Sequence, residues 1–163
     1  MINCFNDETQ FIRKAVAIAS TALFCKIGPK KWPQLLELLS KQLVADNAEA
    51  IETALDCLWK ILEDIKVNIE NVNIMEDGNN QVLNQLVPNL IQLCNPELPR
   101  NIKSLALYCL NLFANFMPPS LTANMNDYME VLDISSKDKF PLIRQRSIEG
   151  LSEILATRKD LIS

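Results

Sequence analysis

The chain has 163 residues, 48% hydrophobic and 22% charged, with a formal net charge of −4, a balance that suits a packed core and excludes a disordered chain. It holds 3 Gly and 6% aromatic residues, which leaves too few turn glycines and too little β-branched alternation for an all-β fold. There are 0 His residues, and that removes Ser-His-Asp catalysis, Cys-His catalysis and the commonest metal ligand in one step.

Hydrophobic periodicity predicts helices over 10–25, 33–44, 48–66, 80–94, 100–117, 122–136 and 142–158. The first ends at Gly28-Pro29. The lysines that follow, Lys30 and Lys31, lack the spacing of a phosphate loop and read as solvated residues after a helix-ending turn. The third is the clearest: Ile51, Ala54, Leu55, Leu58, Ile61, Leu62 and Ile65 recur at i, i+3, i+4 and i+7 and form one apolar stripe. Next comes an Asn-rich stretch with Gly78, expected to be an insertion (67–79) inside one domain. The helix at 100–117, with Leu105, Ala106, Leu107, Cys109, Leu110, Leu112, Phe113 and Phe116, is apolar nearly all round. It belongs between neighbours on both sides. Its apolar part ends before Pro118-Pro119, too short to span a membrane.

The cysteines (Cys4, Cys25, Cys57, Cys94 and Cys109) are odd in number and contain no C-x-x-C pair. They are expected to be reduced thiols, mostly buried, in a cytosolic or nuclear protein. The N-terminus is too polar for a signal peptide. An acidic balance without a Lys/Arg cluster argues against nucleic acid as a partner. Carboxylate pairs such as Glu63-Asp64 have no companion suited to acid/base work. No catalytic residue, cofactor or metal is therefore expected, and the chain does not read as an enzyme.

Four helices begin alike, at Phe11-Ile12-Arg13-Lys14, Ala50-Ile51-Glu52-Thr53, Asn101-Ile102-Lys103-Ser104 and Leu142-Ile143-Arg144-Gln145. Their isoleucines stand about 39, 51 and 41 residues apart, near the roughly 40-residue period of two-helix HEAT and armadillo units. An acid precedes a base by six positions in three of them (Asp7 and Arg13, Glu97 and Lys103, Asp138 and Arg144), while Asp46 faces Glu52 in the other. A helix pair cannot bury its apolar face alone, whereas stacked pairs share a continuous core. The expected fold is an all-α solenoid of HEAT repeats with about seven helices. It would comprise a half repeat at 1–27 and full repeats at 32–66, 80–117 and 121–160, with the four marker helices in one layer. The end at Lys159–Ser163 has no evident cap, so the chain is expected to be a piece of a longer protein that self-associates through exposed apolar ends.

The run Asp138-Lys-Phe-Pro-Leu-Ile-Arg144-Gln-Arg-Ser-Ile-Glu-Gly-Leu151 resembles the HEAT pattern of turn acid, proline, aliphatic-Arg and apolar helix. That resemblance implies an acid–base ladder along successive turns. Trp32-Pro33-Gln34-Leu35-Leu36, followed by Ala54-Leu55-Asp56-Cys57-Leu58-Trp59-Lys60-Ile61-Leu62-Glu63-Asp64, is similar to the importin-β superfamily, above all its transportin branch. The resemblance implies a non-enzymatic transport receptor of cytoplasm and nucleus. Its partners would be a Ran-type GTPase in its GTP form, import cargo and nucleoporins, and the marker layer would line the concave face. The alternative is a HEAT scaffold subunit of another complex, such as a protein phosphatase. Its near-identical, uninterrupted units are disfavoured by the long middle interval.

At 100° per residue the stripe of 51–65 centres on Leu58, and Trp59, Glu52 and Glu63 fall to one side of it. Trp59 either packs on helix 10–25 or 100–117, or forms a partner-binding patch with Glu52, Asp56, Lys60, Glu63 and Asp64.

Overall fold

The computed structural model describes residues 7–28, 31–67 and 80–158. Cys4 and nearly all of the expected insertion lie outside them. Helices α1 (Gln10–Ile27), α2 (Pro33–Gln42), α3 (Ala48–Val67), α4 (Asn80–Gln92), α5 (Arg100–Ala114), α6 (Pro119–Ala123), α7 (Met125–Ser136) and α8 (Pro141–Thr157) follow one another, with no strand among the described residues. The fold is an α-solenoid. Helices α1, α3, α5 and α8 lie side by side, each packed on the next, so the marker helices do form one layer. A second layer runs α2, α4, α6 and α7, with α2 against α3, α4 against α5 and α7 against α8.

Sequence dictates this packing directly. On α3 the stripe residues Ala54, Leu55, Leu58, Ile61 and Leu62 are fully buried, as are Leu35, Leu36 and Leu39 of α2. Each such leucine contributes about 2 kcal/mol by leaving water. Helix α5 sits between α3, α4 and α8, and it buries Ala106, Leu107, Cys109, Leu110 and Phe113 on several faces at once. Gly28 closes α1 at φ 80°, with its amide donating to Phe24 O at 2.8 Å. A positive φ suits the residue without a Cβ.

Two elements differ from expectation. The helix expected at 122–136 is two, α6 and α7, hinged at Asn124, whose side-chain amide donates to Ser120 O at 2.7 Å. That bond takes up a helical carbonyl from the side and lets the chain turn. Helix α5 stops at Ala114 rather than 117: Asn115 Nδ2 donates to Asn111 O at 3.1 Å, and Met117 adopts φ 44°.

The turns entering the first layer share one device. Asp7 Oδ1 accepts from Thr9 N at 2.8 Å, and Asn47, Asn95 and Asp138 accept from the amides of Glu49, Glu97 and Phe140, each at 2.9 Å. These are Asx turns. The base six positions after the acid does not meet its carboxylate. Arg13 Nη1 donates to the carbonyls of Asp7 at 2.6 Å and Glu8 at 3.0 Å. Arg144 Nη1 donates to those of Asp138 at 2.8 Å and Lys139 at 3.1 Å, and Lys103 Nζ to Pro96 O at 3.2 Å. The charged partner comes instead from the following turn. Arg13 pairs with Glu49, and Lys103 Nζ meets Asp138 Oδ2 at 2.8 Å. Between these rungs, Glu52 stands where a base would and accepts from Asn101 Nδ2 at 2.7 Å. The ladder therefore joins successive turns, with one uncharged donor in its middle.

Beneath the last rung lies a buried polar knot. Tyr128 donates to Asn111 Oδ1 at 2.7 Å, and Asn111 Nδ2 donates to Arg146 O at 2.8 Å. Gly150 lets α8 approach it: a Cβ there would stand 2.5 Å from Asn111 Oδ1, 2.7 Å from Leu132 Cδ2 and 2.8 Å from the Tyr128 hydroxyl.

Candidate protein-binding ridge

Because the stripe of α3 is buried against α2 and α5, the residues beside it reach the edge of the first layer. Glu52, Asp56, Trp59 and Glu63 recur at i, i+4, i+7 and i+11 and share one face. Trp59 is half-buried, and its ring stands 5.9 Å from that of Tyr108 on α5 at an interplanar angle of 48°. Its indole N–H donates to Asp56 Oδ1 at 2.9 Å. The other oxygen of Asp56 accepts from Lys60 Nζ at 2.5 Å, and that ammonium lies 5.4 Å from the Trp59 ring centre. Trp59 therefore does pack on the helix expected at 100–117, while one edge stays accessible.

The acids divide by partner. Glu63 accepts from the Tyr108 hydroxyl. This bond, helped by burial and the same negative charge, pushes the Tyr108 pKa up to about 12. Glu52 is held by Asn101 of α5. Asp64 faces the other way, toward α1, where burial and then the Asp64 carboxylate raise the Cys25 thiol to about 11. The structure thus brings Asp56, Trp59, Lys60 and Glu63 together and sets Glu52 and Asp64 apart from them.

Sequence reasoning missed the continuation of this row. Arg146 of α8 lies over the Tyr108 ring, 4.0 Å from its centre, and its Nη1 pairs with Glu149 at 2.9 Å. A ridge therefore crosses three helices in the order Lys60, Trp59, Tyr108, Arg146, flanked by Asp56, Glu63 and Glu149. Cations stacked on aromatic faces are attracted by the ring quadrupole, so the side chains hold one another in place before any partner arrives. Tyr108 was the available signal, a hydroxyl-bearing ring within the apolar run of α5 from Leu105 to Leu110. Beside the ridge, a groove of about 370 Å³ runs between α1 and α3, lined in part by Lys14, Ile18, Thr53, Asp56, Lys60 and Leu105.

Nothing in this arrangement positions a nucleophile against a base, and among the described residues no cluster of acids and cysteines has metal-ligand geometry. The buried thiols stay protonated: burial raises Cys57 to about 11 and Cys94 to about 12, and pushes Cys109 up as well. Among the described residues no helix is long and apolar enough to cross a membrane. The chemistry on offer is contact. Rigid aromatic rings edged by paired charges are the side chains that carry binding energy at protein interfaces.

No protein-family profile matches the chain. It is 27% identical over 157 residues to importin subunit β-2 of Schizosaccharomyces pombe, a match covering 96% of this chain and 17% of that protein. With transportin-1 of Mus musculus it shares 26% over 159 residues, covering 98% and 17%. With transportin of Dictyostelium discoideum it shares 26% over 159 residues, covering 96% and 16%. The chain thus spans 17% or less of the length of these relatives. Among solved structures, an engineered protein superposes with a TM-score of 0.44 at 15% identity, covering 99% of this chain and 82% of that one. A designed armadillo repeat protein superposes at 0.39 and 14% identity, covering 99% and 83%.

Proposed function

We propose that this chain, which is similar over nearly its whole length to importin subunit β-2 and to transportin, serves as a HEAT-repeat segment of a nuclear transport receptor. The observation that carries this reading is likeness over 157 residues, 96% of the chain, to importin subunit β-2. In this role the chain performs no chemistry of its own. It binds a Ran-type GTPase in its GTP form, moves between cytoplasm and nucleus, and belongs to a superhelix that carries protein cargo past nucleoporins. GTPase and cargo are linked by opposing free energies, so binding of one releases the other. In repeat terms, 1–27 is a half unit and 32–66, 80–117 and 121–160 are full units.

The contact assigned to the GTPase is the ridge of α3 and α5. Trp59 supplies apolar area, and Asp56 and Glu63 meet basic residues of the partner, with Lys60 oriented by Asp56; Glu52 and Asp64, held elsewhere, take no part in this contact. The test is retention of the GTP-loaded GTPase by the immobilised chain and by its Trp59→Ala/Glu63→Lys variant. A loss of about tenfold or more in affinity at unchanged helicity is expected, since truncating an interface anchor costs about 2 kcal/mol. Equal retention by both proteins overturns the assignment.

A further inference from the structure

Folding gathers bases that the sequence keeps apart. Residues 95–103 and 137–144 form the turns and first helical residues entering α5 and α8, and together they carry five bases and two acids in a chain of net charge −4. The two turns meet because α5 packs on α8, so this patch covers a seam between two helices of the chain rather than an end face. The turn entering α3 is the reverse, with three acids and no base over 44–52. One edge of the solenoid therefore changes sign between α3 and α5.

At the centre of the patch is Phe140, half-buried, with Lys139 Nζ 5.1 Å, the Arg100 guanidinium 5.3 Å and Lys103 Nζ 6.0 Å from its ring centre. The ring attracts each cation, but at this range the cations also repel one another, since salt screens charge only over about 8–10 Å. Of the three, Lys103 is buried and neutralised by Asp138 Oδ2 at 2.8 Å. The other oxygen of Asp138 accepts from the Phe140 amide at 2.9 Å, so that carboxylate is spent on the turn. Arg100 and Lys139 are exposed, and among the described residues neither pairs with a carboxylate. Neither α5 nor α8 has an acid in its first turn or a side-chain cap, so the positive ends of both helix dipoles add to the same field.

We infer that this edge is a docking site for a short acidic segment of a partner protein. Arg100 takes one carboxylate through its planar fork. Lys139 meets a second as a point charge, and the residue between the two acids lies against the accessible side of Phe140. Two acids one residue apart stand about 7 Å from each other in an extended chain, a span suited to two cations that share one ring. The occupant is a peptide rather than a nucleic acid, because a polyanion following the edge would run onto Asp46, Glu49 and Glu52, all exposed. A short acidic segment needs only the seam between α5 and α8. This contact is separate from the one assigned to the GTPase.

Fluorescence anisotropy of this chain with a short labelled peptide carrying a Glu-Leu-Glu core tests this. The peptide should bind, with an affinity that falls as salt rises. Its Gln-Leu-Gln counterpart should bind at least about tenfold more weakly. Arg100→Glu and Lys139→Glu should each weaken binding about tenfold, since an acid in the site repels where a base attracted. Both side chains are exposed, so helicity by circular dichroism should be unchanged. Lys41→Glu makes the same charge change at an exposed position of α2 and should bind as wild type does. Absence of binding, equal binding of the two peptides, or binding that survives Arg100→Glu or Lys139→Glu overturns the inference. So does an equal loss in Lys41→Glu, or a single-stranded oligonucleotide of similar length bound more tightly than the acidic peptide.

Discussion

Gly150→Ala is a sharp test of the packing between α8, α5 and α7. In an exposed helix interior the change would stabilise by about 1 kcal/mol, because alanine loses less backbone entropy. Here the new methyl would stand 2.5 Å from Asn111 Oδ1 and 2.8 Å from the Tyr128 hydroxyl. Asn111 cannot swing aside freely, because its amide also donates to Arg146 O at 2.8 Å. Displacing it breaks two buried hydrogen bonds, each worth about 1 kcal/mol net, and leaves a buried group unpaired for about 1–3 kcal/mol more. Against the propensity gain, the net loss is about 2–4 kcal/mol, at the upper end of what overpacking a core costs. Thermal and urea unfolding followed by circular dichroism should show Tm lower by about 2–4 °C per kcal/mol. Adding Asn111→Ala should give less than the sum of the two single effects, because the nearest colliding atom, Asn111 Oδ1, is gone and the Tyr128 hydroxyl is freed to move. A Tm at or above wild type for Gly150→Ala would refute the reasoning.

Three further outcomes follow from the ladder, the ridge and the core. Asp138→Asn keeps the Asx turn but leaves the nearly buried Lys103 ammonium without its carboxylate, and urea unfolding should show a loss of about 3 kcal/mol. Burial opposes the Asp138 charge, but the hydrogen bond from Lys103, the Phe140 amide and the nearby lysine charges outweigh it and hold its pKa below the usual carboxylate range. Its contribution is therefore full above about pH 4 and lost as pH falls through the lower folded value; a wild-type chain with no more acid dependence than Asp138→Asn would contradict this. Tyr108 should ionise at about 12 in an absorbance titration, and Glu63→Gln should bring it back toward about 10. Because that pKa is raised in the folded state, its share of stability is present below about pH 10 and lost as pH rises beyond it. Cys57, Cys94 and Cys109 should resist a thiol reagent at neutral pH until the chain unfolds, since the thiolate is the reactive form; rapid native labelling seen by mass spectrometry would contradict their burial.

Much of the architecture is legible in residue spacing. The apolar stripe of α3, the proline breaks before α6 and α8 and the recurring isoleucine-plus-base start together imply one layer of marker helices, and that layer is present. The ladder was legible only in outline. The acid–base spacing marks the turn, but the bases spend one contact on their own turn's carbonyls and take their carboxylates from the next turn, a partner that sequence separation hides. The split at Asn124 carries no Gly or Pro, because a side-chain amide does the breaking. On the ridge, α3 revealed its own residues by periodicity. Tyr108 and Arg146 joined them only through the packing of α3 on α5 and of α5 on α8. The knot of Asn111, Tyr128 and Gly150 likewise depends on three helices meeting, and a lone glycine in a helical pattern was its single trace.

Titration calorimetry of this chain with a Ran-type GTPase, loaded in turn with a non-hydrolysable GTP analogue and with GDP, bears on the proposed receptor role at its root. The GTP form is expected to bind at least about tenfold tighter than the GDP form, a difference of about 1.4 kcal/mol. Equal affinity for the two forms, or no heat of binding with either, would contradict it.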